Sequence, residues 1–167
     1  APAVIAAEPN IRWRLASSFP KSLDTIFGAA DVFARKISEM SGGKFQISVH
    51  AGGELMPAFG VVDALQQAGV RRCYGIVGDT LNHVTDAMHG SEIAWVHVRH
   101  EEVAAFAAGA DSLVSGELTA CAGSCGPGSL HFINGVFETN RNRAPMVLIA
   151  SQVVTAELGM EFPQEVD

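Results

Sequence analysis

The sequence predicts an α/β fold: a three-layer sandwich in which a mostly parallel sheet of about six strands carries helices on both faces. Two observations predict it. Short apolar runs of period two alternate along the chain with longer segments whose apolar residues recur every three or four positions. The 167 residues are 48% hydrophobic and 17% charged, which is enough apolar material for a core and too little charge for a disordered chain. Strands linked through helices in this way make right-handed crossovers.

The elements follow in order. Residues 1–10 form an N-terminal tail without a basic stretch of the signal-peptide kind. Ile11, Trp13 and Leu15 alternate with Arg12 and Arg14 as a strand, and Ser22 caps a helix whose inward residues are Ile26, Ala30, Phe33, Ile37 and Met40. Gly42 and Gly43 stop that helix, and Phe45, Ile47 and Val49 form a second strand. Pro57 opens a helix that ends at Gly69, and Cys73 to Val77 is a third strand. Leu81, Val84 and Met88 suit a helix closed by Gly90, with Asp79 or Thr80 as its cap, and Ile93 to Val98 is a fourth strand. Glu101 to Ser115 reads as a helix with Val103, Phe106, Ala107 and Ala110 inward. Leu118 to Ala122, a helix over Ser129 to Thr139, and a strand over Met146 to Ala150 complete the pattern. Residues 153–167 show no periodicity and are expected to be a loosely held tail.

The charge changes along the chain. Residues 1–60 carry six Lys and Arg against five Asp and Glu, whereas residues 61–167 carry five against thirteen. An acidic chain without a basic stripe does not fit a nucleic-acid partner. No apolar run approaches the roughly 20 residues of a membrane-spanning helix. Three cysteines, Cys73, Cys121 and Cys125, do not make a disulfide framework, and Cys121 and Cys125 are spaced C-x-x-x-C rather than as a redox pair. His97 and His100 are three apart, but no further Cys or His spacing completes a metal site, so none is expected.

Two resemblances lie on either side of this change. IRWRLASSFPKSLDTIFGAADVFARKISEMSGGKFQISVHAGGELM, from Ile11 to Met56, resembles the opening of the solute-binding proteins of TRAP transporters that take keto acids and other small carboxylates. VDALQQAGVRRCYGIVGDTLNHV, VRHEEVAAFAAGADSLVSGELTACAGSCGPG and INGVFETNRNRAPMVLIASQ, from Val62 onward, resemble the first, pyrimidine-binding domain of thiamine-diphosphate enzymes of the pyruvate oxidase type. The resemblances imply a solute-binding-protein-like β-α-β segment over 11–60, a shared junction helix over 57–69 and a pyrimidine-domain-like segment over 62–152. Both parts are expected to share one sheet. They imply different compartments, periplasmic for the first and cytoplasmic for the second.

The second resemblance assigns the site. The first glutamate of Arg99-His100-Glu101-Glu102 matches the family residue that contacts the cofactor's aminopyrimidine, so Glu101 is the candidate catalytic residue. A carboxyl group sheltered from water can share a proton with a ring nitrogen, which promotes the imino tautomer that deprotonates the thiazolium carbon. Read locally, Glu101 and Glu102 are also an ordinary acidic first turn that offsets a helix dipole. Gly78 and Asp79 match the family's first strand-to-helix turn. Gly126, Pro127, Gly128 and Asn134 match the turn that shapes its cofactor-facing edge. Gly126 and Gly128 permit close backbone approach. Ala122-Gly123-Ser124-Cys125-Gly126 also imitates an esterase nucleophile elbow, with His131 too close in sequence for the usual triad order. Phe162-Pro163-Gln164-Glu165 resembles a Phe-Gln-Glu motif of the family with Pro163 intervening.

Thiamine diphosphate is the cofactor this resemblance implies. The family's Gly-Asp-Gly…Asn motif for diphosphate and Mg²⁺ does not occur in the 167 residues, nor does its FAD-binding region. The arginine that anchors the ligand in the transporter proteins lies outside the matched segment. Three readings follow: an incomplete pyrimidine-binding domain, inactive alone and completed by a homodimer partner or a complementing thiamine-diphosphate domain; a binding module for a small keto acid; or a non-catalytic α/β fusion scaffold.

Overall fold

The computed structural model describes residues 10–17, 21–22, 24–52, 54, 60–153, 157 and 159–165. The chain divides into two compact units, Ala1–Val61 and Val62–Asp167. Among the described residues six strands lie parallel to their neighbours, as the α/β reading requires, but they form two sheets, one of two strands and one of four.

In the first unit, β1 (Ile11–Ala16) and β2 (Phe45–His50) pair in parallel, Ile11 opposite Phe45 and Ala16 opposite His50, joined through α1 (Asp24–Met40). The Trp13 and Phe45 rings meet edge to face at 4.9 Å. Gly42 and Gly43 have positive φ and end α1, with the Gly43 N–H on the Ser38 carbonyl at 2.8 Å. The inward face of α1 is set by Phe27 and Ala34, with Ala30 and Ile37 partly covered, whereas Phe33 and Met40, expected inside, are exposed. The side chain of Ile26 and the start of α1 at residue 23 lie outside the described residues.

From the boundary onward come α2 (Val61–Gln67), which begins one residue before it, β3 (Arg72–Gly75), α3 (Asn82–His89), β4 (Ala94–His97), α4 (Glu101–Ser115), β5 (Thr119–Gly123), α5 (Pro127–Leu130), α6 (Ile133–Arg141) and β6 (Met146–Ala150). The described part of the expected junction helix is α2, which buries Val62 and Leu65 and ends where Gly69 turns at φ +87°. The Pro57 end of that expectation lies outside the described residues. The strand order is β4-β3-β5-β6.

Burial explains why the strands do not merge into the one sheet expected. β5 is buried at all five positions, which requires cover on both faces. In β1 only Ile11 and Leu15 are partly covered and the other four residues are exposed, so its alternating Arg residues suit a small half-solvated sheet.

The α4 phase also differs from expectation. Ala104, Ala105, Ala108, Gly109 and Ser112 are buried, while Val103, Phe106 and Ala110 are exposed and Ala107 is half-buried. The cause is the close approach of α6. A β-carbon on Gly109 would run into Thr139 Oγ1, and one on Gly135 into the Ala105 methyl. Only the small-residue stripe of α4 fits there, over a core of Ala104, Ala105, Ala108, Cys121 and Phe132.

The helix expected over Ser129–Thr139 is two helices, α5 and α6, separated at His131 and Phe132. Phe132 is fully buried, with its ring where a Gly123 side chain would otherwise stand. At the opposite end of the sheet, Arg72 Nε donates to Asp111 Oδ2 at 2.6 Å and Nη2 to Glu117 Oε2 at 3.1 Å, and the Tyr74 hydroxyl donates to Asp111 Oδ2 at 3.0 Å. The Arg72 guanidinium holds the Asp111 carboxyl below its ordinary range.

In the C-terminal segment, Val153 is buried and the Glu165 N–H bonds the Phe162 carbonyl at 2.8 Å. Gln164 places its carbonyl oxygen against Gly126.

Candidate functional site

In the order β4-β3-β5-β6 the chain steps one way from β3 to β4 and the other way from β5 to β6, so the winding reverses between β3 and β5. Open parallel sheets place ligands beyond the carboxyl ends of the strands at such a reversal. Here the turns in question are Gly78–Leu81, after β3, and Ser124–Gly128, after β5.

These turns are pressed together. A β-carbon on Gly78 would lie 2.7 Å from Ser124 Cβ and Oγ, so glycine is what allows the close approach. Thr80 ties the turns: its hydroxyl oxygen lies 3.0 Å from Ser124 Oγ and 2.7 Å from Ser151 Oγ, and it accepts the Cys125 N–H at 3.0 Å. Ser151 Oγ donates to the Gly123 carbonyl at 2.9 Å, which adds the end of β6 to the same cluster. Thr80 therefore does not cap the helix as expected: Leu81 stands at the cap position of α3, and Gly78 at that of the short 3-10 turn Asp79–Leu81 before it, neither with a side-chain bond. Asp79 is exposed.

Glu101 opens α4 behind His100, whose Nδ1 accepts the Glu102 N–H at 3.2 Å. The Glu101 side chain is only 13% exposed. Its Oε2 lies 3.0 Å from His131 Nδ1, and a β-carbon on Gly128 would stand 3.2 Å from its Oε1. Oε1 makes no hydrogen bond among the described residues. Glu101 Cγ also lies 3.3 Å from the β-carbon position of Gly123. The carboxylate is thus backed by two glycines, anchored through one oxygen and available through the other.

Gly126 adopts φ +65°, ψ −123°, a conformation open to glycine, and Pro127 begins α5. Asn134 is exposed and donates from Nδ2 to Glu102 Oε1 at 2.7 Å, so it meets the second glutamate rather than the first. The structure thus brings Glu101, Gly128, Gly126 and Gly78 to one set of turns, with Asp79 and Asn134 toward solvent.

Ser124 does not form a nucleophile elbow with His131: the imidazole bonds Glu101 and the hydroxyl bonds Thr80. His131 and Thr80 are the site residues that sequence reasoning missed. His131 appears there only as an ill-placed triad partner, because its contact with Glu101 spans 30 residues and no short-range spacing announces it. The His100 and His131 rings stack with centroids 4.6 Å apart.

The arrangement suits proton exchange with a ring nitrogen. A sheltered carboxylate with one oxygen free of hydrogen bonds among the described residues can accept or share a proton.

Comparison with known proteins gives the family of most of the chain. Residues 58–167 match the family of thiamine pyrophosphate enzymes, N-terminal TPP binding domain. The chain is 54% identical over 106 residues, 63% of its length, to an uncharacterized 42.6 kDa protein from Pseudomonas amyloderamosa, of which it covers 27%. It is 36% identical over 109 residues to a pyruvate oxidase from Lactiplantibacillus plantarum, spanning 64% of this chain and 18% of that one. A monocarboxylate 2-oxoacid-binding periplasmic protein from Nostoc sp. is 49% identical over 70 residues, 42% of this chain and 19% of that protein. The chain therefore spans between about a fifth and a quarter of the length of these relatives.

Proposed function

Because the chain belongs to the family of thiamine pyrophosphate enzyme N-terminal TPP binding domains, we propose that its second unit is the aminopyrimidine-facing half of a thiamine-diphosphate site of the pyruvate oxidase type. The observation that carries this reading is Glu101, sheltered from water, fixed by His131 through Oε2 and open at Oε1 beside Gly128.

Thiamine diphosphate, when bound, supplies the carbon nucleophile and the electron sink for decarboxylation of a 2-keto acid. The residues of this chain do the rest of what this half can do. Glu101 Oε1 holds a proton at a pyrimidine nitrogen, and the His131 contact keeps the carboxylate from rotating away. Gly78, Gly126 and Gly128 let Ser124, Gln164 and Glu101 pack directly on these turns, and the Thr80 hydroxyl cluster keeps the turns at fixed spacing.

The diphosphate and Mg²⁺ ligands are supplied by a complementing domain on a further segment or another chain, or by a second copy in a homodimer. α4 and α6 leave Val103, Phe106, Leu113, Val114, Ile133 and Phe137 exposed, an apolar surface of the kind that marks an interface. By themselves, the 167 residues do not decarboxylate pyruvate.

A second reading concerns the first unit. The 49% identity over 70 residues to a 2-oxoacid-binding protein supports descent of the N-terminal segment from a TRAP-type solute-binding protein and its fusion to the enzyme domain. Without the anchoring arginine, a small keto acid binds weakly or not at all.

The purified chain should give no pyruvate turnover with thiamine diphosphate and Mg²⁺, and calorimetric titrations with cofactor and with pyruvate should both be silent. Turnover lost in Glu101→Gln would show a complete enzyme instead. Tight pyruvate binding would favour the solute-binding reading.

A further inference from the structure

We propose that His100, Glu101 and His131 form a binding site for a late first-row divalent ion, with Zn²⁺ as the representative. One imidazole nitrogen from each histidine and a Glu101 oxygen lie within 4.8 Å of one another. The pair His131 Nδ1 and Glu101 Oε2 is already at 3.0 Å. Ligand atoms around a tetrahedral Zn²⁺ with bonds of about 2.0–2.2 Å stand roughly 3.3 Å apart, so His100 closes the set with a small side-chain movement.

The fold supplies the rigidity and the side chains supply the freedom. His100 and Glu101 are consecutive at the start of α4, and His131 sits on the turn between α5 and α6, above the buried Phe132. Both imidazoles are exposed and can rotate, while Glu101 is sheltered. An ion lies in the plane of each imidazole it binds, so the present stacking of the two rings, 24° from parallel, opens on binding. His100 also gives up its acceptance of the Glu102 N–H, a long 3.2 Å bond at the start of α4.

Two imidazoles and one carboxylate select for Zn²⁺, Ni²⁺ or Cu²⁺ over Mg²⁺ or Ca²⁺, which prefer oxygen. Three protein ligands on an exposed edge leave at least one position for water. Ion binding itself does not depend on the cofactor reading above. Its consequence does: an ion on Glu101 occupies the carboxylate that would meet the aminopyrimidine.

The test uses the purified chain and Zn²⁺ alone, without any thiamine compound. Calorimetry should show one ion per chain with micromolar affinity, no response to Mg²⁺, and a loss of about tenfold or more in His131→Ala and in His100→Ala. His89→Ala, on the exposed end of α3, should bind as the parent does. Because a variant could fail to fold, Co²⁺ is added to the parent chain, where paramagnetic broadening of amide NMR signals should centre on residues 100, 101 and 131. Absence of saturable Zn²⁺ binding, unchanged affinity in both histidine variants, or broadening centred on His50, His83 or His89 would overturn the proposal. Failure of thiamine compounds to bind would leave it standing.

Discussion

Gly135 of α6 sits against Ala105 of α4 with no room for a side chain. A β-carbon there would run into the Ala105 methyl and lie 3.0 Å from both the Glu102 carbonyl oxygen and the Phe106 nitrogen. Two of the three obstructing atoms are backbone, so the strain cannot be relieved by a rotamer change. Gly135→Ala should therefore destabilise the second unit by about 1–3 kcal/mol, the usual cost of overpacking. A denaturant titration checks this, and an unchanged midpoint would mean that α4 and α6 are not held so closely.

The Arg72 and Asp111 pair should make stability depend on acid. Asp111 is held below its ordinary value near 3.8, first by the Arg72 hydrogen bond, so the unfolded chain binds this proton more readily than the folded one. Its contribution is fully present above that ordinary value and is lost as pH falls through the depressed folded value. Asp111→Asn should cost about 1–3 kcal/mol at neutral pH and flatten the fall in midpoint below about pH 4. Parallel denaturation of parent and variant from pH 7 to pH 2 makes the comparison.

The cysteines should be inert in the folded chain. Burial pushes the Cys73 thiol up to about 12 and raises that of Cys121 as well, and Cys125 is also buried. The thiolate is the reactive form. A disulfide reagent at pH 8 should label none of the three until denaturant unfolds the chain. Rapid labelling of Cys125 in native buffer would mean that the Ser124–Gly128 turn opens freely.

How much of this was legible in the sequence differs by level. Each of the six strands and each of the glycine stops lies where alternation and composition place it, because those signals are local. The inward faces of α1 and α4 were not legible. Assigning Phe33, Val103 and Phe106 to the core follows side-chain size, whereas close approach between α4 and α6 selects Ala105, Gly109 and Gly135. The split into two sheets depends on pairing between distant strands, although the polar alternation of β1 against the small, uncharged residues of β5 foreshadows it. At the site, the sequence motif singles out Glu101 and the glycines as candidates, while the His131 contact with Glu101 spans 30 positions and no local spacing announces it.

The proposed function requires that Glu101 and the glycine turns face an aminopyrimidine. The most direct measurement is an amide NMR titration of the purified chain with millimolar thiamine diphosphate, repeated on Glu101→Gln. Small, fast-exchanging shifts confined to Gly78, Glu101, Gly126 and Gly128 and their neighbours are expected, lost in the variant, with no saturation at micromolar concentration. Shifts that centre on β1 and β2, or that persist unchanged in Glu101→Gln, would contradict it.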